Sequence, residues 1–192
     1  MRLKSKVRGR RSDVRGRCSW IGSLAVLVLL VGCVSQEGNV ERQQRRNSEA
    51  KECFDRTVKM YHLPSAEAQG AVRDRLLQQA ASGYERLLRD FRDQPAWCAQ
   101  ALRSLGNVRA TQGRLDQATT CYEQVGEKYV CYDWEVMQAW KSAADLLWEA
   151  GRKVEARQFY VKMVVRFDNA DVTPVMATIV RAAKAKIQTL SP

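Results

Sequence analysis

Residues 118–129 read ATTCYEQVGEKY, and the same pattern stands at 80–91 (AASGYERLLRDF) and at 156–167 (ARQFYVKMVVRF). In each stretch an alanine is followed, after 4, 7 and 11 positions, by a tyrosine, an aliphatic residue and an aromatic residue. Offsets of 4, 7 and 11 lie on one face of an α-helix. The three stretches follow one another at a constant period of 38. Self-similarity at a fixed period of this length predicts an array of helical units.

The residues before each of the last two stretches predict a second helix and a tight turn. Gly113 and Gly151 stand at the same distance ahead of their stretches, and glycine ends a helix well because it adopts positive φ. Farther upstream, Gln100-Ala101-Leu102 aligns with Gln138-Ala139-Trp140 at the same period. The predicted unit is therefore helix A, a turn at glycine, and helix B.

This unit resembles the tetratricopeptide repeat, whose pattern is W-x2-L-G-x2-Y followed by A-x3-F. Leu102-x2-Leu105-Gly106 precedes Ala118-x3-Tyr122, and Trp140-x2-Ala143-Ala144 precedes Ala156-x3-Tyr160. The resemblance covers about residues 62–190 and implies an all-α array of about three hairpins. The period of 38 exceeds the family's 34. Arg75 replaces the turn glycine of repeat one, so residues 64–91 are expected as a hairpin or as one long, irregular helix.

Capping helices are expected at both ends of the array. Residues 48–62 predict an N-terminal cap that ends at Pro64. Residues 174–190 predict a C-terminal cap whose apolar side consists of Val175, Ile179, Ala182, Ala183 and Ile187, with Lys184 and Lys186 on a solvated outer face. Terminal helices of this kind shield the open ends of a solenoid.

The N-terminus has the organisation of an export signal. Eight basic residues precede an uncharged run from Trp20 to Gly32, which is shorter than the roughly 20 residues that a membrane-spanning helix requires. The run closes with Leu30-Val31-Gly32-Cys33, which resembles the lipobox of bacterial lipoproteins. The resemblance implies that residues 1–32 are a signal peptide and that Cys33 becomes the lipidated first residue. An uncleaved signal anchor with an incidental cysteine is the alternative.

Residues 33–48 follow as a polar tether, with too few apolar residues to fold alone, and residues 49–192 form the repeat domain. Val34 stands where an aspartate favours retention at the inner membrane in enterobacteria, so the outer membrane is expected. Lipobox, tether and repeats together are similar to bacterial outer-membrane lipoproteins that assemble barrels or coordinate the envelope. That resemblance implies a lipid-anchored protein that faces the periplasm.

Charge argues against a nucleic-acid partner. The chain has 32 basic and 21 acidic side chains, and residues 1–32 hold 8 of the basic and 1 of the acidic ones. The remainder therefore carries 24 basic against 20 acidic side chains. A basic stripe of the kind that binds nucleic acid is not expected once the leader has gone.

The sequence predicts no catalytic residues, metal site or cofactor. His62 is the single histidine and has no Ser, Cys or Asp near it by spacing. Zinc requires several His or Cys at short spacing. Asp168-Asn169-Ala170-Asp171 lacks the glycine and terminal glutamate of a calcium loop, so it is expected as a turn. No small-molecule substrate is indicated.

Cys98 and Cys131 are candidates for a disulfide. Cys98 begins helix A of repeat two and Cys131 follows the end of its helix B, and these ends are neighbours in an antiparallel hairpin. Export makes a disulfide chemically permissible. The alternative is that Cys53, Cys98, Cys121 and Cys131 are all free thiols.

Partner binding is expected on the concave face, which helix A lines in this family. The candidate groove residues are Arg103, Asn107, Lys141, Asp145, Trp148 and Glu149. Arg103 and Asn107 resemble two members of the clamp in chaperone-binding relatives. Trp148 is either an exposed anchor, as tryptophan often is at binding hot spots, or packed against the C-terminal helix.

The function expected from these features is a scaffold that binds other envelope proteins or peptides. An alternative is an enzyme, or an accessory subunit, of cell-wall remodelling, in which Asp145 and Glu149 form a carboxylate pair. A structural lipoprotein that binds nothing specific is a third possibility.

Overall fold

A computed structural model describes the backbone of residues 21–169 and 171–189 and the side chains from Gly38 onward within these ranges. The chain divides into two units, Met1–Gln43 and Gln44–Pro192. The helices are α1 (Ile21–Thr57), α2 (Leu63–Glu67), α3 (Gly70–Asp90), α4 (Pro95–Thr111), α5 (Leu115–Lys128), α6 (Asp133–Glu149), α7 (Lys153–Phe167) and α8 (Pro174–Gln188). A π-helical turn, Val58–His62, joins α1 to α2. Across the described ranges there is no strand.

The second unit is an array of antiparallel helical hairpins, which confirms the predicted all-α, tetratricopeptide-like architecture. Helix α4 packs on α5 and α6 packs on α7, each pair forming one hairpin. Successive hairpins are joined by contacts of α3 with α4, of α5 with α6 and of α7 with α8. The two A helices α4 and α6 also touch directly.

The repeated stripe forms the core of this array. Its alanines, tyrosines and aliphatic residues are at most 3% exposed: Ala80, Tyr84, Leu87, Ala118, Tyr122, Val125, Ala156, Tyr160 and Met163. At the last position of the stripe Phe167 is buried, whereas Phe91 and Tyr129 are half-buried. Burying an aromatic side chain removes about 150–250 Å² from water, so these rings dominate the stabilisation of each hairpin.

The two predicted turns have the same backbone geometry. Gly113 and Gly151 have φ values of +73° and +77°. The Gly113 N–H donates to Ala110 O, and the next N–H, of Arg114, donates to Arg109 O, both at 2.9 Å. This pair of bonds is the Schellman motif, which satisfies the last carbonyl groups of a helix and reverses the chain. Gly151 forms the same motif after α6.

The N-terminal region differs from the prediction in two ways. The segment expected as a tether, residues 33–48, is helical and belongs to α1. Its Glu, Gln and Arg residues are good helix formers, which explains the difference. The prediction that Pro64 ends the capping helix was wrong, because Pro64 lies in the first turn of α2 and the helical path continues to Glu67. A proline is tolerated there since the N–H that it lacks has no intrahelical partner.

Repeat one is irregular rather than a single helix. Ala68 and Gln69 are extended, and Gly70 begins α3 with φ of +53°. The helical path from the end of α1 through the π-helical turn and α2 therefore serves as the A helix of this repeat, and α3 serves as its B helix. Residue Phe54 of α1 lies 5.7 Å from Tyr84 of α3, ring centroid to ring centroid, and 5.8 Å from Trp97 of α4.

Two polar contacts fasten the end of α1 to the array. Trp97 Nε1 donates to Asn47 Oδ1 at 2.7 Å. The Arg46 guanidinium donates to Asp93 Oδ1 at 2.8 Å and stacks 4.6 Å from the Phe91 ring centroid. This arginine holds the pKa of Asp93 well below its usual range, mainly through that hydrogen bond.

The C-terminal cap is present as α8, and its buried side overlaps the predicted one in part. Met176, Val180 and Ala183 are buried, whereas Val175 and Ala182 are exposed. The prediction placed Val175, Ile179, Ala182, Ala183 and Ile187 on one side of the helix. It is confirmed for Ala183, which is buried, and for Ile179 and Ile187, which pack partly buried against the core, and it was wrong for Val175 and Ala182. The predicted end of this cap at residue 190 lies outside the described part of the chain.

The predicted export signal lies mostly outside the described residues, which begin at Ile21 and for side chains at Gly38. The Cys33 thiol is therefore not described. None of the described helices combines the length and the apolar character that crossing a membrane requires.

Candidate partner-binding site

The predicted groove residues occupy equivalent places on two adjacent A helices. The register of the repeat puts Arg103 and Asn107 of α4 where Lys141 and Asp145 stand in α6. All four side chains are half-buried. Because α4 and α6 are in contact, the structure brings these polar side chains onto neighbouring helices.

Arg103 forms an ion pair with Glu135 across this helix contact. Arg103 Nε lies 2.6 Å from Glu135 Oε2, and the two side chains are 25% and 11% exposed. Glu135 lies in the first turn of α6, where the helix dipole favours a negative charge. Sequence reasoning missed Glu135, whose one signal was an acidic residue at the start of an A helix. Arg103 therefore already fastens α4 to α6.

Asn107 and Asp145 each accept a hydrogen bond from the tyrosine of their own hairpin. The Tyr122 hydroxyl donates to Asn107 Oδ1 at 2.7 Å, and the Tyr160 hydroxyl donates to Asp145 Oδ1 at 2.8 Å. The two pairs have the same separation along the chain, so the contact recurs with the repeat. A buried hydroxyl requires such a partner. These groove residues thus join helix A to helix B.

In repeat one the equivalent tyrosine pairs with the histidine. Tyr84 Oη lies 2.7 Å from His62 Nδ1. Burial lowers the pKa of His62, which favours the neutral ring, and raises the pKa of Tyr84 to about 12. Burial likewise raises the pKa of Tyr122 and of Tyr160. The phenols therefore stay protonated and keep their role as donors at physiological pH.

The candidate carboxylate pair is not arranged for acid–base chemistry. Asp145 Oδ2 lies 2.6 Å from Lys141 Nζ, and its Oδ1 accepts the Tyr160 bond, so both carboxylate oxygens have partners. Glu149 is exposed at the end of α6. A general base requires an oxygen that can reach a substrate proton.

Trp148 packs inside the C-terminal repeat. Its ring makes an edge contact with Tyr160 of α7, at 6.2 Å between centroids. Lys186 Nζ of α8 lies 4.1 Å from the Trp148 ring centroid, and Lys153 Nζ lies 5.5 Å from it. A cation over the face of an indole is attracted by its quadrupole. Of the two interpretations of Trp148, the structure agrees with packing against the C-terminal helix rather than with an exposed anchor.

The candidate disulfide is not formed in this structure. Cys98 and Cys131 are both free thiols, with Cys98 buried and Cys131 exposed. The Cys98 thiol donates to Phe91 O at 3.2 Å, and burial raises its pKa. One sulfur therefore lies inside the hairpin and the other on its surface. The bridge stays a prediction that requires the two thiols to move together.

Within residues 38–169 and 171–189, no group of three or more His, Cys, Asp or Glu side chains is placed to hold a metal ion. The described part of the chain thus contributes polar contacts between helices rather than a cluster of ligands.

Comparison with protein families matches residues 105–171 to the tetratricopeptide repeat. The matched segment begins within α4 and runs just past the end of α7. The match supports a tetratricopeptide-repeat protein, and this fold is typically a non-catalytic scaffold for protein–protein interaction. Comparison with curated proteins found no match.

Proposed function

We propose that this protein is a lipid-anchored scaffold of a bacterial envelope, facing the periplasm, and that it binds other envelope proteins through the groove of α4 and α6. The observation that carries the proposal is the pairing of polar side chains at equivalent positions of two contacting A helices. The same protein would then act in assembling the outer membrane or an envelope complex, rather than in catalysis.

The groove retains donors for a ligand after its internal bonds are counted. Lys141 has three N–H donors, one of which serves Asp145, and 44% of its side chain is exposed. Thr111 and Glu149, at the far ends of α4 and α6, are exposed as well. Such a surface fits an extended peptide segment whose carbonyl or carboxylate oxygens accept from the lysine.

The anchor is supported by Leu30-Val31-Gly32-Cys33 at the end of an uncharged run. Metabolic labelling with an alkyne fatty acid tests it in a bacterial host. The wild-type protein is expected to incorporate the label, and Cys33→Ser is expected to abolish it. A wild-type protein that keeps residue 1 and carries no label would refute the anchor while leaving the groove proposal intact.

Photo-crosslinking in living cells tests the groove. A crosslinking amino acid is placed at Thr111 or Glu149, and at Thr120 on the outer face of α5 as the matched exposed control. We expect one envelope protein to be captured from the two groove positions and not from Thr120. The charge reversal Lys141→Glu should abolish that capture. Equal capture from Thr120, or no capture from either groove position, would contradict the proposal.

A further inference from the structure

The acids on the outer side of α5 form ion pairs with the next repeat. Asp116 Oδ1 lies 2.5 Å from Arg152 Nη1, and Glu123 Oε1 lies 2.7 Å from Lys162 Nζ. In repeat one Glu85, which is equivalent to Glu123, also pairs with repeat two, at 2.6 Å, although its partner Arg109 lies on the A helix. This side of the B helices α3 and α5 therefore contacts the following repeat.

Valines replace these acids in α7. Val154 and Val161 stand one repeat period after Asp116 and Glu123. Val154 is 77% exposed, Val165 is 81% exposed, and Val161 is half-buried. Offsets of 7 and 11 put the three valines on one helical face. The side of α5 that contacts the following repeat is charged. The equivalent side of α7, which has no further repeat in the described part of the chain to contact, is thus apolar.

The exposed side of helix α8 has small residues at positions where the preceding A helices pack against a B helix. Ala182 occupies the position of Gly106 and Ala144, the small residues of the preceding A helices. A Cβ at Gly106 would lie 2.5 Å from the Tyr122 ring, and Ala144 is fully buried, so this position is where an A helix receives its own B helix. Ala182 is exposed, as are Thr178 and Ala185 beside it.

The N-terminal end of the array has a different surface. On the outer face of α1, Lys51 pairs with Asp55 and Arg56 pairs with Glu52, the latter at 2.6 Å. End repeats of soluble solenoids usually present such a polar outer face. Apolar side chains are exposed at this end too, at Met60 (58%) and Leu63 (62%), but ion pairs stand beside them, whereas in α7 valines replace the acids.

The charge of the exposed sides of α7 and α8 favours an acidic partner over a second copy of this chain. Helix α8 contains Arg181, Lys184 and Lys186 and no acidic residue, and Arg157 of α7 is exposed nearby on the outer surface of its helix. Lys184 is paired with Asp168 and Lys186 lies over the Trp148 ring, so the positive charge offered to an occupant comes mainly from Arg181 and Arg157. Two copies packed end to end would place like charges together, which costs free energy. An acidic occupant would be attracted.

We propose that the exposed sides of α7 and α8 form a docking surface for an acidic amphipathic helix of a partner protein. The helix packs as the B helix of one more repeat, with an aromatic side chain over Ala182 and apolar side chains on Val154, Val161 and Val165. This surface is separate from the groove of α4 and α6, so either can fail without the other.

The probe is a synthetic peptide with the sequence of residues 115–129 of this chain, carrying Cys121→Ser and a fluorescent label. This stretch is a B helix with three acids, one lysine and the tyrosine stripe. The control peptide, residues 153–167, has the same stripe with four basic residues and one acid. Fluorescence anisotropy with the full-length protein is expected to show binding of the acidic peptide, at least tenfold weaker at high salt, and at least tenfold weaker binding of the basic one.

Substitutions at exposed positions locate the binding. Val165→Glu and Ala182→Glu should each weaken binding at least tenfold, whereas Val72→Glu, at a valine of α3 that is 59% exposed, should leave it unchanged. Circular dichroism confirms that each variant is folded. The proposal is overturned by failure of the acidic peptide to bind, by equal loss in all three variants, or by retained binding in the first two. It is also overturned if sedimentation shows a dimer that Val165→Glu dissociates, because the occupant is then a second copy.

Discussion

Replacing Gly106 with alanine should destabilise the array, although the same change in an ordinary helix is stabilising. The new Cβ would lie 2.5 Å from Tyr122 Cε1, about 0.9 Å inside the 3.4 Å at which ordinary van der Waals contact begins. The ring has little room to move, since Tyr122 is 2% exposed and its hydroxyl is bonded to Asn107. Overpacking of a core costs about 1–3 kcal/mol, and a ring fixed at both ends belongs near the upper value.

Helix propensity opposes this cost by about 1 kcal/mol, since alanine is preferred to glycine inside a helix. The net expectation is a loss of about 2 kcal/mol in the free energy of unfolding, which urea titration followed by far-ultraviolet circular dichroism measures. In a Tyr122→Leu background, where the ring is absent, Gly106→Ala should cost little or become stabilising. An unchanged or higher urea midpoint for Gly106→Ala alone would refute the close approach of α4 and α5.

Three other contacts give predictions of their own. Arg103→Ala leaves the Glu135 carboxylate buried without its partner and should lower the free energy of unfolding by about 1–3 kcal/mol in urea titration, while adding Glu135→Gln should recover part of the loss. If adding Glu135→Gln recovers none of the lost free energy of unfolding, loss of the ion pair is not the cause of the destabilisation. Because burial lowers the pKa of His62, the unfolded chain binds a proton more readily, so stability should fall as the pH drops below about 6.5, by up to about 1.4 kcal/mol per pH unit. His62→Gln should remove this slope on the acid side of neutrality, and an identical slope in the variant would contradict it. Iodoacetamide should alkylate Cys131 in the native protein and Cys98 only after unfolding, as read by peptide mass spectrometry; protection of both until a reductant is added would indicate the disulfide instead.

The hairpins could be predicted because their signals are local. The spacing of Ala118, Tyr122 and Val125 fixes one helical face, and all three residues are buried in the structure. Gly113 and Gly151 signal turns by residue type alone, and both adopt the expected positive φ. Each of these inferences requires only one short stretch of sequence. Because the same pattern recurs along the chain, predicting one hairpin also predicts the array of hairpins.

The failures concern residues whose role depends on distant neighbours. Pro64 was expected to end a helix, but the π-helical turn before it lets the chain restart in α2 with proline in the first turn. The role of Arg103 in binding a ligand stays a prediction, but the sequence did not indicate that Glu135, far along the chain on the next A helix, is its ion-pair partner. A pattern within one short stretch of sequence cannot predict an ion pair between residues so far apart along the chain. Which residues at the edges of the α8 face are buried likewise depends on its contacts with α7, which sequence periodicity over one short helix does not determine.

The internal bonds of the groove also limit what it can recognise. Asp145 has both carboxylate oxygens engaged, and Asn107 Oδ1 is occupied by Tyr122, so these acceptors of the groove serve the fold. The donors are less fully used, because Lys141 retains N–H groups after its bond to Asp145. A ligand that supplies acceptors, as a carboxylate or a backbone carbonyl does, therefore fits the donors of Lys141.

The end surface of α7 and α8 is basic, so an acidic segment is attracted there, and a ligand carboxylate would likewise be attracted to Lys141 in the groove. Salt screens the attraction between exposed charges, with a Debye length of about 8 Å at physiological ionic strength. Binding to either surface should therefore weaken as salt rises. An acidic helix whose affinity has no salt dependence would show that the end surface is not its site, because that proposal assigns the selection of the ligand to exposed lysine and arginine side chains.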